Sequence, residues 1–268
     1  MYDYETILCD VADDSVATLT LNRPASLNAI SRLMADEMTD ALARLAAEAS
    51  LRVLILRGAG EAFCAGGDVR DMASQGTRSS TEALDSMARY RRMTLALHGF
   101  QRPVIAAVDG VAFGAGMSLV LLADLVLLSE RARLCLVFQR VGLSPDCAAL
   151  YTLPRLVGLQ QAKALALSAR EIGAIEAQAM GLALEVLPWQ KLYERANQLA
   201  TAVAKGSPAA LSLTKQALDA SLQSDLPTML AMEAAAQAIA LTSEDHRAAV
   251  RAFVRKEGNR YVWPARSD

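Results

Sequence analysis

Apolar positions along the 268-residue chain change period from segment to segment. Over residues 16–22 (Val-Ala-Thr-Leu-Thr-Leu-Asn) apolar and polar positions alternate, as in a strand, and Arg23-Pro24 ends the run. Past Ser31, a good helix cap, Met34, Met38, Ala41, Leu42 and Leu45 recur at helical spacing. Residues 52–57 (Arg-Val-Leu-Ile-Leu-Arg) predict the next strand, closed by Gly58-Ala59-Gly60. A helix over 81–98, a strand over 104–108, a glycine turn, a short apolar helix near 116–123 and a strand over 125–129 follow. Strands that are apolar at every position are covered on both faces, and their alternation with helices predicts an α/β arrangement.

The pattern changes after residue 190. Ala-, Leu- and Gln-rich helix dominates, broken at Gly206-Ser207-Pro208 and near Pro227. The last helix opens on Thr242-Ser243-Glu244-Asp245 and closes on Arg251, Arg255 and Lys256 before Gly258, acids first and bases last as the helix dipole favours. The chain thus divides into a core over 1–190 and a helical region over 191–268. The latter carries more small apolar surface than one α/β layer needs, which predicts a subunit interface.

Composition narrows the function. With 53% hydrophobic and 21% charged residues, the chain can build a sizeable core. A balance of 27 Lys+Arg against 29 Asp+Glu offers no basic surface, which argues against nucleic-acid binding. Residues 103–128 are strongly apolar, but Asp109 and Asp124 bound a stretch too short to cross a bilayer, so no membrane span is expected. Met1-Tyr2-Asp3-Tyr4-Glu5 has neither the basic nor the apolar region of a signal peptide. Cys9, Cys64, Cys135 and Cys147 form no C-x-x-C pair and read as free thiols of a reducing compartment, the cytoplasm. The two histidines, His98 and His246, are far apart in sequence, which argues against a zinc site of the usual type, and no metal is expected.

Two glycine turns carry the candidate chemistry: Glu61-Ala62-Phe63-Cys64-Ala65-Gly66-Gly67-Asp68-Val69 and Asp109-Gly110-Val111-Ala112-Phe113-Gly114-Ala115-Gly116-Met117. Each follows a strand. Such turns can serve only as tight corners, or they can aim backbone N–H groups at a developing oxyanion. Neither is a nucleotide fingerprint, since Gly114-Ala115-Gly116 lacks the third glycine at the required spacing.

In order, the motifs resemble the crotonase superfamily, the enoyl-CoA hydratase/isomerase family. They are Leu21-Asn22-Arg23-Pro24 with Asn28-Ala29-Ile30, then Ala62–Asp68, Arg102–Gly110 and Gly114-Ala115-Gly116. Leu153-Pro154-Arg155-Leu156-Val157-Gly158 and Thr242-Ser243-Glu244-Asp245-His246-Arg247 complete the set, which spans essentially the whole chain. The resemblance implies a spiral of repeated ββα units with a C-terminal helical region that builds trimers, often paired into hexamers. It implies an acyl-CoA substrate and no cofactor beyond the CoA thioester. By position, the oxyanion-hole amides fall on Gly67 and Ala115. Contacts to CoA and its acyl arm fall near Arg23, Leu27, Ala65, Asp68 and Phe138.

The catalytic carboxylates depart from the hydratase pattern. The two hydratase glutamates would fall at Ser118 and Phe138, neither of which can transfer protons as a carboxylate does. One acid remains: Asp146, in Gly142-Leu143-Ser144-Pro145-Asp146-Cys147-Ala148, where several family isomerases carry an acid/base. Its apolar neighbours would raise its pKa. By residue pattern alone it reads equally as the cap of a helix starting at Ala148. Family dehalogenases carry a nucleophilic aspartate at the same position, but their aromatic cage and base would fall on Phe138 and near Arg91, which do not fit.

Other polar residues read as structural. His98 is expected to be packed or at the surface, His246 solvated or at an interface, Asp68 to order the first glycine turn, and Asp124 to be a buried structural acid. Cys64 and Cys147 lie near the expected pocket without a base to activate them. Arg89, Arg91 and Arg92 form a solvated helix face, or else meet the CoA phosphates. The expected activity is isomerisation of an enoyl-CoA, Δ3,Δ2-type or in a ring, with Asp146 as acid/base. The rivals are a weak hydratase and a non-catalytic acyl-CoA-binding subunit.

Overall fold

A computed structural model describes residues 3–12, 15–74, 76 and 79–266; Met1 and Tyr2 of the N-terminal segment lie outside the described residues. In chain order the strands are β1 (Ile7–Val11), β2 (Val16–Leu21), β3 (Val53–Gly58), β4 (Val104–Val108), β5 (Val111–Phe113), β6 (Leu125–Ser129), β7 (Arg133–Cys135), β8 (Ile172–Gly173) and β9 (Glu185–Leu187). The helices are α1 (Arg32–Ala47), α2 (Val69–Ser74), α3 (Ser80–His98), α4 (Ala115–Val120), α5 (Ala149–Val157) and α6 (Leu159–Ser168). They continue with α7 (Ala174–Ala179), α8 (Trp189–Ala204), α9 (Pro208–Ser221), α10 (Leu226–Leu241) and α11 (Glu244–Val254).

The main sheet runs β1-β2-β3-β4-β6-β9, parallel except for β1 at one edge, and a small sheet runs β5-β7-β8. The chain leaves the main sheet after β4, turns at Asp109-Gly110, adds β5 to the small sheet and enters α4. A second unit repeats this path through β6, β7 and α5. An earlier one, from β3, reaches the small sheet as a single bridge of Cys64 to Ala112. This is the α/β spiral of ββα units that the resemblance implies. Asp109 ties two of its corners together, accepting from Ser129 Oγ and Arg131 Nε, both at 2.7 Å.

Ser31 caps α1 by accepting from Met34 N, and Met34, Met38, Ala41, Leu42 and Leu45 are all buried, as their spacing predicts. The short strands β5, β7, β8 and β9 escape the sequence pattern because two or three residues hold too little periodicity. The break expected near Pro227 falls at 222–225, between α9 and α10; Pro227 itself lies in the first turn of α10, where its missing N–H leaves no bond unmade, and Asp225 caps that helix. The last helix ends at Val254, short of Gly258, with Lys256 taking the left-handed conformation.

The boundary near residue 190 falls at the start of α8, and α8 belongs to the core. Its Leu192, Ala196, Leu199 and Ala200 pack on Val53, Ile55, Ile105 and Leu127 of the main sheet's outer face. Arg195 grips Glu185 of β9 through two bonds of 2.9 Å, the pair fully enclosed. The helices that stand apart are α9, α10 and α11, none of which buries a residue within the chain. Among the described residues no helix is long and apolar enough to cross a membrane.

The two sheets meet where the glycine turns touch. A methyl group on Gly116 would lie 2.3 Å from the Cys64 carbonyl oxygen and 2.8 Å from its Cβ. That neighbour is backbone and cannot swing away. Gly116→Ala should therefore force α4 off the first turn, cost about 1–3 kcal/mol and lower the Tm by several degrees. A denaturation curve superimposing on the wild type's would contradict this close approach.

Candidate active site

Backbone bonds stitch the two turns together. Cys64 N donates to the Val111 carbonyl and Phe113 N to that of Cys64, each at 2.9 Å. Ile30 N donates to Gly66 O at 2.7 Å, and Asp68 N to Ile30 O at 3.1 Å. Gly66 takes φ +100°, and a Cβ there would lie 2.8 Å from the Phe113 carbonyl oxygen and 3.5 Å from Ala115 N. Only glycine fits this left-handed, crowded position.

Among the amides of Cys64 to Asp68, four have protein acceptors and Gly67 N–H has none among the described residues. In the second turn Phe113 and Gly114 donate, to Cys64 and Cys135. Ala115 opens α4, and the first amides of a helix have no acceptor within it. Two unspent backbone donors thus stand on facing turns.

Asp146 is tied to α4, the helix that Ala115 opens, through its backbone. Ser118, fully buried one turn into α4, donates from Oγ to the Asp146 backbone carbonyl at 3.0 Å and lies 3.2 Å from the Gly114 carbonyl. Cys147 and Ala148, the next two residues, both take positive φ (49° and 66°), which is unusual for two consecutive side-chain-bearing residues. The N-cap of α5 is Ala148, with no side-chain cap bond, so the helix-cap role open to Asp146 is not the one it plays. Its Oδ1 is buried without a hydrogen-bond partner among the described residues. Burial pushes the carboxyl above its ordinary value, an effect the neighbouring Cys147 thiol only partly offsets.

Asp68 is the opposite case. Its carboxylate pairs with Arg23 at 2.8 Å and accepts from the Arg70 and Asp71 amides. Burial disfavours its charge, but the guanidinium and the amides outweigh burial and hold the carboxyl below its ordinary value. Arg23 also donates to the Ala29 carbonyl at 2.6 Å, and Ala65 N to Leu27 O at 2.9 Å. Arg23, Leu27, Ala65 and Asp68 therefore line the outer side of the first turn, with Leu27 exposed. Phe138 is buried, and its ring edge would meet a Cβ on Gly114 at 3.8 Å.

The remaining candidates lie elsewhere. His98 stacks edge-on against Tyr151, and His246 is exposed in the first turn of α11. Arg89 and Arg92 pair with Asp36 of α1, at 2.8 and 3.8 Å. Asp124 is a structural acid with a largely covered side chain: it accepts from Val104 N and Lys215 Nζ, both at 2.7 Å, and burial pushes its carboxyl above the ordinary value. Burial pushes the Cys64 thiol up to about 12, which leaves it inert.

Three neighbours of the site are absent from the sequence reading. The Met72 methyl lies 2.7 Å from where a Gly67 Cβ would stand. Tyr90 reaches towards the Ile30 carbonyl, and Thr94, one turn on, is buried and donates to the Tyr90 carbonyl at 2.8 Å. Polar residues at positions 90 and 94, in line with buried Leu97, were the available signal.

The family model for enoyl-CoA hydratase/isomerase matches residues 12–263. A Rhodobacter capsulatus protein named a probable enoyl-CoA hydratase is 38% identical, over 94% of this chain and 96% of its own. The 1,2-epoxyphenylacetyl-CoA isomerase of Escherichia coli is 35% identical, over 96% of this chain and 98% of its own. The crystal structure of an enoyl-CoA hydratase/isomerase from Cupriavidus metallidurans superimposes with a TM-score of 0.94 at 38% identity, covering all of both chains. With its facing glycine turns, its spiral of ββα units and these relatives, the chain belongs to the enoyl-CoA hydratase/isomerase family.

Proposed function

We propose that this protein is an enoyl-CoA isomerase that moves a double bond from the 3- to the 2-position of an acyl-CoA, in a chain or a ring. The observation that carries this reading is the single Asp146 carboxyl, its Oδ1 buried without a hydrogen-bond partner among the described residues on a loop tied to α4, with Ser118 and Phe138 at the two positions where hydratases carry glutamates. The substrate thioester oxygen accepts from Gly67 N–H and Ala115 N–H. Asp146 takes a proton from the α-carbon, and the electron pair moves onto that oxygen as a dienolate. The same carboxyl returns the proton to the γ-carbon, the double bond forms between the α- and β-carbons, and Asp146 is again ionised. No group beyond the CoA thioester enters this cycle. Arg23, Leu27, Ala65 and Asp68 form the rim against which CoA lies, and Phe138 walls the acyl side.

The isomerase named among the relatives acts on an epoxyphenylacetyl-CoA, and so supports isomerisation of an acyl-CoA rather than this double-bond shift in particular. The hydratase named beside it supports the rival, but water addition needs one group to activate water and a proton for the α-carbon, which a single carboxylate serves poorly.

Asp146→Asn should lower isomerase turnover about 10²–10⁴-fold and leave KM within about two-fold, because the amide keeps the shape but takes no proton. In the wild type, kcat/KM should fall as pH drops through a carboxyl pKa above the ordinary 3.8, since only the ionised form accepts the α-proton. The wild type should isomerise a 3-enoyl-CoA much faster than it hydrates the 2-enoyl product. Hydration outpacing isomerisation, or full turnover by the Asn variant, would refute the assignment.

The assembly we propose is a trimer or a pair of trimers. Helix α10 is largely apolar, with Thr228, Glu233 and Gln237 among its polar positions, yet buries nothing within the chain, and Phe253 of α11 is 84% exposed. So much uncovered apolar helix surface needs cover. A cleft of about 1460 Å³ between the core and α9 and α11, lined in part by Leu121, Leu122, Leu211 and Leu218, offers space for a second copy. Light scattering at micromolar concentration should give three chains or a multiple; a clean monomer would contradict it.

A further inference from the structure

We infer that Ser118 is a positioning residue for Asp146: its hydroxyl fixes the base to the same short helix that presents the Ala115 amide. The inference rests on the isomerase reading above and deepens it.

Ser118 is completely enclosed, and its one hydroxyl proton faces two carbonyl oxygens, Asp146 O at 3.0 Å and Gly114 O at 3.2 Å. A buried helical serine commonly does no more than bond back to the carbonyl four residues earlier. Here that carbonyl, Gly114, is the more distant of the two. The nearer one belongs to the residue carrying the base, 28 positions along the chain.

The loop needs such a tie. Pro145 restricts the backbone ahead of Asp146, while Cys147 and Ala148 behind it are held in the left-handed region. Residues in sparsely populated conformations persist only where surrounding bonds over-determine them. The local tie is Ala149 N to Asp146 O at 3.1 Å, which belongs to the loop itself. Ser118 supplies a tie from outside to Asp146 itself, beside the contact of Thr94 with the Cys147 side chain. It sits three residues, nearly one turn, after Ala115 on α4, a helix whose six residues are all buried. Any shift of the Asp146 loop relative to α4 changes the distance between base and oxyanion donor. Proton transfer is sensitive to displacements of about 1 Å, which can cost about 10²-fold.

The test is a double-mutant cycle of Ser118→Ala with Asp146→Asn, read by isomerase kinetics, acyl-CoA dissociation constant and Tm. Ser118→Ala should reduce kcat about 10- to 100-fold while KM and the dissociation constant stay within about two-fold. In the Asp146→Asn background it should have almost no further effect, since there is no base left to position. Ser118→Cys keeps a weak donor at the same place and should recover part of the lost turnover; it also serves if the Ala variant does not fold. A Ser118→Ala enzyme with unchanged kcat, beside an inactive Asp146→Asn, would overturn this inference alone. An equal fractional loss in both backgrounds, or a loss carried by KM, would overturn it as well. Full activity in Asp146→Asn would instead overturn the isomerase reading on which it rests.

Discussion

The site depends on one constraint: two stretches of backbone lie so close that no side chain fits between them. Gly66 faces the Phe113 carbonyl, and Gly116 faces Cys64. The Cys64–Ala112 bridge locks the approach. Because β3 and β4 are neighbours in the main sheet, the turns that follow them come out side by side. The chain then spends almost every amide in the contact on its own carbonyls, leaving Gly67 and Ala115 unspent. Backbone donors held this way need no reorganisation when charge develops on a bound oxygen, which is the usual source of oxyanion stabilisation.

The two acids beside these turns have been pushed in opposite directions by their surroundings. Asp68 is held below its ordinary range by Arg23 and two amides, so its contribution to stability is present above the unfolded value of 3.8 and is lost as pH falls through the folded one. Asp146 is raised by burial, so its ionised form costs stability at neutral pH, and that cost lifts as pH falls through its folded pKa. One carboxyl is thus held ionised at the turn by its partners, while burial favours the neutral form of the other. Environments that drive two acids apart separate their roles on a single fold.

The α/β spiral and the long elements were legible because their patterns are long: the α1 stripe from Met34 to Leu45, the strands at Val53–Gly58 and Val104–Val108, and the Ser243 cap of α11. The glycine turns were legible as motifs, and Asp146 as the surviving acid. Three things were not. Helix α8 looked like part of the interface because its small apolar residues resemble those of α9 and α10, and only the sheet face reveals what they cover. The break near Pro227 was legible but the proline's place in it was not, because sequence does not say whether a proline opens a helix or ends one; it opens α10. The grip of Ser118 on the Asp146 carbonyl joins residues 28 apart through a loop with two left-handed residues, a geometry no local pattern encodes.

The central claim, that two backbone amides and one carboxyl together make and quench a thioester enolate, is tested most directly by hydrogen exchange at the α-carbon. A saturated acyl-CoA cannot isomerise or add water, so incubating it with the enzyme in D2O isolates proton removal from every later step. NMR or mass spectrometry should show wild-type enzyme washing deuterium into the α-position and the Asp146→Asn variant failing to do so, although the ester still binds. Exchange that proceeds equally fast without the carboxylate, or bound ester that never exchanges with wild-type enzyme, would contradict the account.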